Sequence, residues 1–343
     1  MIELIYDIKE ESFIGRANCQ EKLDFEVKYI SDFPEINYKS RFEDVLFFDS
    51  EEFHAYHEKN ALKVYKLIFM EDEVYLGFCY VGEKNIDNKK MLFIPYSSPF
   101  SKVYFSKKAK SSDRERVYKA LGNIAKLMKA GLRIMLPPDI YYDDFALDVA
   151  SFMDSSFQVG YLHINNYFDL RNINDLDEFV RERSHSYRKN LKKAKNHNLK
   201  MEINKEASLE KAYRVIEENR SEKNYPLSMS FEQIKSISSM TSSNVDSFVL
   251  RCEESDMDIA AGIVFKINEN AVQVIYWGSL EEFSYMRPME LLSFEIIKFY
   301  KERSISYVDI GPSTANDKIS HGLYGFKVNI GCKSNLKPVI IKI

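Results

Sequence analysis

Strand-like and helix-like segments alternate along the whole chain, which predicts an α/β protein built from two domains. Three observations carry that expectation. The 343 residues are about twice the ~150 of an ordinary domain. Hydrophobic residues at 45% and charged residues at 29% describe a globular chain. Each half also reads in one order, a hairpin, a strand, a helix, a strand, a helix and a strand. That repetition predicts a duplicated unit, with domains over residues 1–170 and 171–343.

In the first half, strands are expected over 45–48, 64–70, 74–81 and 91–94. The second and third are joined by Glu71-Asp72-Glu73, a polar connection of hairpin length. After a loop with Pro95 and Pro99, apolar residues at Val117, Leu121, Ile124, Leu127 and Met128 mark one face of a helix over 113–130. Gly131 stops it, a strand over 132–136 ends at Pro137-Pro138, and a helix (143–153) and a strand (161–170) close the half. The second half opens with a helix over 175–196, then a strand (199–203) and helices over 208–222 and 231–240. Strands over 248–251, 259–267 and 271–278 follow. A helix over 289–303 puts Leu292, Ile296, Phe299 and Tyr300 on one face. A strand (307–310), a short helix (321–328) and a strand (338–343) complete it.

The net charge of -4 argues against a surface that embraces nucleic acid as a whole, while leaving room for a local basic face. The four cysteines (Cys19, Cys79, Cys252 and Cys332) are scattered and no pair has metal-ligand spacing. Reduced thiols and no metal are expected. The start, Met1-Ile2-Glu3-Leu4-Ile5-Tyr6-Asp7, lacks a basic segment followed by an apolar run, and no stretch approaches the ~18 apolar residues of a membrane span. A cytoplasmic protein that does not enter a membrane is expected.

The C-terminal run from 260 to 331 is the most specific part of the chain. A strand opened by Ala260-Ala261-Gly262 leads to Val272-Gln273-Val274-Ile275-Tyr276-Trp277-Gly278, and a helix starts at Arg287-Pro288-Met289-Glu290. Tyr307-Val308-Asp309-Ile310-Gly311 and Gly322-Leu323-Tyr324-Gly325-Phe326-Lys327 follow. With Arg188-Lys189-Asn190-Leu191-Lys192-Lys193-Ala194, Pro95-Tyr96-Ser97-Ser98-Pro99-Phe100 and Leu136-Pro137-Pro138 at corresponding places, the chain resembles the GNAT superfamily of N-acyltransferases. Within it, the chain resembles the tandem-GNAT group that contains Fem-type peptidoglycan aminoacyltransferases and the acyltransferases of surface-polysaccharide assembly. The resemblance covers nearly the whole chain.

It implies two GNAT-like domains, each a mixed, mostly antiparallel sheet flanked by helices. The first would help to bind the acceptor, and the second would carry donor and chemistry. The activity implied is N-acyl transfer from acyl-coenzyme A to an amino sugar, nucleotide-linked, for surface polysaccharide. Two alternatives stand beside it: a Fem-type transferase that takes an aminoacyl group from tRNA to a cell-wall peptide, and a non-catalytic sugar-nucleotide-binding protein. Acyl-coenzyme A enzymes of this kind carry a glycine-rich turn before the central helix, where backbone N–H groups meet the pyrophosphate. Here that turn reads Glu282-Phe283-Ser284-Tyr285-Met286-Arg287-Pro288, without glycine.

Acyl transfer to an amine needs a proton acceptor for the amine, donors for the carbonyl oxygen and an acid for the leaving group. His321, in a polar loop with Ser313, Thr314, Asn316 and Asp317, is the candidate base; otherwise it is a surface residue at a helix start. Asp309 either shares or orients that role, or caps a strand end. Tyr324 is the leaving-group acid by family position, or a packing residue. The resemblance sets the donor against Tyr276, Trp277, Gly278, Tyr285, Met286, Arg287 and Lys327, although the two aromatic residues equally suit a core. Tyr96 and Ser97 offer a ring and a hydroxyl to a sugar, or form a rigid loop. His185, Arg188 and Lys192 reach a phosphate, or belong to a solvated helix whose early acids and late bases complement its dipole. Ser313 completes the expected acceptor contacts.

Overall fold

The computed structural model describes residues 1–17, 23–36, 41–42, 44–205, 207–240, 245–315 and 318–342. It divides into two compact units, Met1–His163 with Leu336–Ile343, and Ile164–Asn335. The boundary thus falls before residue 170, and the C-terminal strand, expected in the second domain, belongs to the first unit.

The first unit is a mixed sheet. Val27–Ile30, Ser12–Arg16, Ile2–Asp7, Lys63–Glu71, Val74–Ile86, Lys89–Ile94 and Gly131–Met135 lie side by side in that order. Residues 339–342 of the last strand pair antiparallel with Gly131–Met135. The expected hairpin is present: Lys63–Glu71 and Val74–Ile86 run antiparallel, and both loop residues, Asp72 and Glu73, take positive φ. Those angles match the twist of the flanking strands. Lys89–Ile94 and Gly131–Met135 are parallel, so a crossover must join them. Helix Ser111–Leu127 forms it, burying Val117, Leu121 and Ile124 against the sheet. Its start is held by the Asp113 carboxylate, which accepts from the Lys110 N–H at 2.7 Å.

The second unit orders Leu199–Ile203, Val245–Cys252, Met257–Lys266, Ala271–Ser279, Tyr307–Pro312 and residues 164–169 of Gln158–Asp169. The first four run antiparallel to one another. Both faces are covered. Phe248 and Leu250 join the core of helix Pro288–Lys301 with Leu292, Ile296 and Ile297. Val249 lies between them, equally buried, and alternation sends it to the other face.

Several elements differ from expectation. The strands at Ile2–Asp7, Ser12–Arg16 and Val27–Ile30 were not anticipated, being short and set among charged residues. Residues 45–48 do not form a strand. Phe47–Asp49 is a 3-10 turn that enters helix Glu51–His57, where the Ser50 side chain accepts from the Phe53 N–H at 3.2 Å. The helix expected over 175–196 is two, Leu176–Arg181 and His185–Lys195. Ser184 separates them, its hydroxyl accepting from the Tyr187 N–H at 3.0 Å. The early acids and late bases therefore sit on different helices, and no single dipole organises them. Cys79, Cys252 and Cys332 are buried free thiols, while Cys19 lies outside the described residues. No helix among the described residues is long and apolar enough to cross a membrane.

One charge cluster closes the strand end at Asp169. Its carboxylate accepts from Arg171 Nε at 2.9 Å, Asn172 Nδ2 at 2.9 Å and Lys333 Nζ at 3.0 Å. Hydrogen bonding by Arg171, against the opposing effect of burial, holds its pKa down at about 2. A depressed folded value stabilises above the unfolded carboxylate range, near ~3.9, and that contribution fades as pH falls towards the folded value. Denaturant unfolding should therefore lose stability between about pH 4 and pH 2, and Asp169→Asn should flatten that slope.

Candidate functional site

The feature that sets this sheet apart lies between Ala271–Ser279 and Tyr307–Pro312. These strands pair in parallel over three rungs only, Ala271↔Tyr307, Val272↔Val308 and Gln273↔Asp309. Beyond Gln273 and Asp309 no further rung forms among the described residues, although both strands continue. On its other edge, Ala271–Ser279 stays paired with Met257–Lys266, with a register shift between Ile263 and Val264. Tyr307–Pro312 meets residues 165–169 through a register shift between Asp309 and Pro312, where Gly311 has φ +74°. The result is a splay, a gap into which the strand edge from Val274 onward turns backbone groups without a ladder partner.

Polar side chains gather at the apex. Asp309 is 0% exposed. It accepts from Asn165 Nδ2 at 3.0 Å, Gln273 Nε2 at 3.1 Å and its own chain's Gly311 N–H at 2.8 Å. Lys327, only 2% exposed, donates to the carbonyls of Ile310 at 3.0 Å, Gly311 at 2.8 Å and Pro312 at 2.9 Å. Neither expected role fits this setting. A proton acceptor must be reached by the amine and a donor-binding lysine must reach solvent, whereas both groups are enclosed and bonded to the fold.

Other expected contacts are also enclosed. The Tyr276 hydroxyl bonds the Ser228 hydroxyl and accepts from the Met229 N–H at 3.1 Å, fastening the segment before helix Phe231–Met240. Trp277 is half-buried, edge-on to Phe326 with ring centroids 6.3 Å apart. Gly278 has a packing reason, since a Cβ there would overlap the Asn219 amide, whose Nδ2 donates to the Ser279 carbonyl at 2.6 Å. Met286 is buried, whereas Tyr285 is 53% exposed with its ring edge-on to His197.

Arg287 is exposed, adopts φ +61° and precedes Pro288, the first residue of the central helix. Proline removes one of the N–H groups an anion would use there. Glu290, also in the first turn and 7% exposed, accepts from Asn190 Nδ2 at 2.8 Å. A carboxylate at that end already satisfies the helix dipole and repels a second anion. These residues do not fit a pyrophosphate cradle of the kind coenzyme A needs.

His321 and Tyr324 lie on helix His321–Asn329, the helix that delivers Lys327 to the apex. His321 is exposed and Tyr324 is half-buried. Ser313 is buried, its hydroxyl donating to Asn166 Oδ1, and its carbonyl accepts from the Ser320 N–H at 2.9 Å, which closes the loop leading to His321. Asn316 and Asp317 lie outside the described residues. Helix His185–Lys195 buries Tyr187, Leu191 and Ala194 on one face and exposes His185, Arg188, Lys189, Lys192, Lys193 and Lys195. Through Asn190 and Glu290 that basic face is fixed near the start of the central helix.

In the first unit, Tyr96 is buried, its hydroxyl 3.0 Å from His54 Nδ1. Burial and the nearby Asp49 carboxylate push its pKa up. The Ser97 hydroxyl accepts from Asn60 Nδ2 at 2.6 Å. Tyr96 therefore presents no ring face to a sugar. Sequence reasoning did not single out Gln273, Asn165, Asn190 or Glu290. The available signal was a polar residue inside an apolar strand, as in Val272-Gln273-Val274 and Asn165-Asn166.

No family model matches the chain, and no curated protein matches it. Solved structures do. FemX is 12% identical, with a TM-score of 0.64 over 87% of this chain and 92% of that one. The C-terminal domain of a putative lysylphosphatidylglycerol synthetase from Agrobacterium fabrum is 11% identical, with a TM-score of 0.54 over 86% of this chain and 88% of that one. L-PGS from Bacillus licheniformis is 13% identical, with a TM-score of 0.50 over 87% and 93%. At these identities the shared property is the fold. The chain has the α/β fold class that the sequence predicted, strands of a mixed sheet flanked by helices in each unit, and shares that fold with these structures.

The tight packing at Gly278 can be checked directly. Gly278→Ala should destabilise the chain by about 1–3 kcal/mol. Asn219→Ala combined with it should cost less than the two singles added, a coupling that denaturant unfolding of the cycle would read.

Proposed function

We propose that this chain is an acyl-group transferase that passes an aminoacyl group from an RNA-borne ester to an amine of a cell-envelope precursor, the Fem-type alternative raised by the sequence. The splay beyond Gln273 and Asp309 carries the proposal. A strand edge with unpartnered N–H groups stabilises the oxyanion that forms when an amine attacks a carbonyl, without needing one indispensable side chain. In the step proposed, the C–N bond forms and the ester C–O bond breaks. The amine's proton passes to His321, and the leaving hydroxyl oxygen takes one from Tyr324.

Two observations favour an aminoacyl ester over acyl-coenzyme A. Pro288 and Glu290 spoil the diphosphate cradle. The exposed cations of helix His185–Lys195 suit a longer polyanion near the same helix start. The fold shared with FemX and with the C-terminal domain of a putative lysylphosphatidylglycerol synthetase is consistent with this reading.

Transfer followed by mass spectrometry would pit aminoacyl-tRNA against acyl-coenzyme A, with nucleotide-linked amino sugars and a cell-wall peptide precursor as acceptors. Product from acyl-coenzyme A and none from aminoacyl-tRNA would reverse the donor assignment and restore the amino-sugar reading. Arg188→Ala with Lys192→Ala should weaken tRNA binding and flatten its salt dependence by about 0.7–0.9 in log–log slope per lost phosphate contact. An unaltered slope would return that helix to a solvated face. His321→Ala should lower turnover about 10²–10⁴-fold with donor affinity kept; unchanged turnover would make His321 a surface residue.

A further inference from the structure

The ladder between Ala271–Ser279 and Tyr307–Pro312 stops at a definite rung, and the residues that stop it are on the page. After Asp309 the chain would ordinarily offer N–H and carbonyl groups to the neighbouring strand. Here they are taken. The Gly311 N–H goes to the Asp309 carboxylate, a local side-chain bond of the kind that competes with sheet pairing. Pro312 has no N–H. The carbonyls of Ile310, Gly311 and Pro312 all turn to Lys327 Nζ. Three successive carbonyls cannot face one point in a regular strand, and the φ of +74° at Gly311 is the kink that lets them. An ammonium is the side-chain group with three donors on a single atom, which suits it to gather them. Asp309 anchors the kink sideways, drawing in Gln273 from the parallel neighbour and Asn165 from the antiparallel one.

We propose that Asp309 and Lys327 are positioning residues that hold the splay open, by taking up the backbone groups that would otherwise extend the parallel ladder past Gln273. Asp309 does not accept the amine's proton, and Lys327 does not hold the donor. Their effect on acyl transfer is indirect and rests on the transferase reading above: the open gap keeps those N–H groups of residues 274–278 that face away from Met257–Lys266 open to the acyl oxygen. Their effect on the strand edge is independent of that reading.

Hydrogen exchange on the whole chain without substrate reads the edge directly. In Lys327→Met the released carbonyls should let the ladder extend, slowing exchange across residues 274–278 by about tenfold or more. General loosening has the opposite sign, because it speeds exchange. Unchanged or faster exchange at 274–278 overturns the proposal. Gln273→Met, which removes one of the two lateral anchors, carries the same measurement if Lys327→Met does not fold. Once a donor is found, Asp309→Asn should lower kcat about a hundredfold, as misplacement does, with the pH midpoints of kcat where the wild type has them. Loss of the low-pH limb would make Asp309 a proton acceptor and sink its assignment. A wild type inactive with every donor would sink the transferase reading, while the exchange result would still decide this one.

Discussion

The second unit depends on the capture of one strand's backbone. Hydrogen-bonding groups inside a folded chain must find partners, and a strand edge ordinarily finds them in the next strand. At residues 310–312 they find Asp309 and Lys327 instead. That substitution frees the opposing edge from Val274 onward while the carbonyls of residues 310–312 keep a partner. It also fixes helix His321–Asn329 against the strand end, and with it the placement of His321 and Tyr324. The gap, the helix beside it and the candidate proton carriers are consequences of one set of bonds.

A second constraint shapes the other wall. Helices His185–Lys195 and Pro288–Lys301 pack together through Asn190–Glu290 and through Lys195 over the Phe294 ring. Glu290 takes the dipole end that an anionic ligand would otherwise occupy. The exposed cations on His185–Lys195 supply positive charge from the side. A polyanion is attracted to this region while a compact diphosphate at the helix end is disfavoured.

Much of the fold was legible in the sequence, and the failures have physical causes. Helices Ser208–Glu222 and Phe231–Met240 match their predicted bounds because their apolar spacing is strong and uninterrupted. The hairpin at Asp72-Glu73 was legible from its polar connection. The break at Ser184 was missed because apolar spacing runs on through it, while the interruption is a cap made by a single hydroxyl. Strands such as Val27–Ile30, half-exposed and carrying lysine, have no apolar pattern to betray them. At the site, the glycine-free turn and the basic helix could be read directly. The enclosure of Asp309, Lys327, Tyr276 and Tyr96 could not, since their types suit solvent as readily as a buried network.

What the sequence by itself determined is local: the alternation of strand and helix, the repeated order of elements in the two halves, and the polar residues clustered after the strand at Tyr307. Periodicity sets these, and periodicity is a property of neighbours along the chain. Only the tertiary structure decided which polar groups face chemistry and which hold the frame. Asn165 and Asp309 stand 144 residues apart, and Gln273 and Asp309 36 apart, yet they share one apex. Strand register brings them together: the parallel ladder stops at Gln273 and Asp309, and the antiparallel one shifts register between Asp309 and Pro312. Register arises from the packing of whole sheets, so the opening of the gap is written in no single segment.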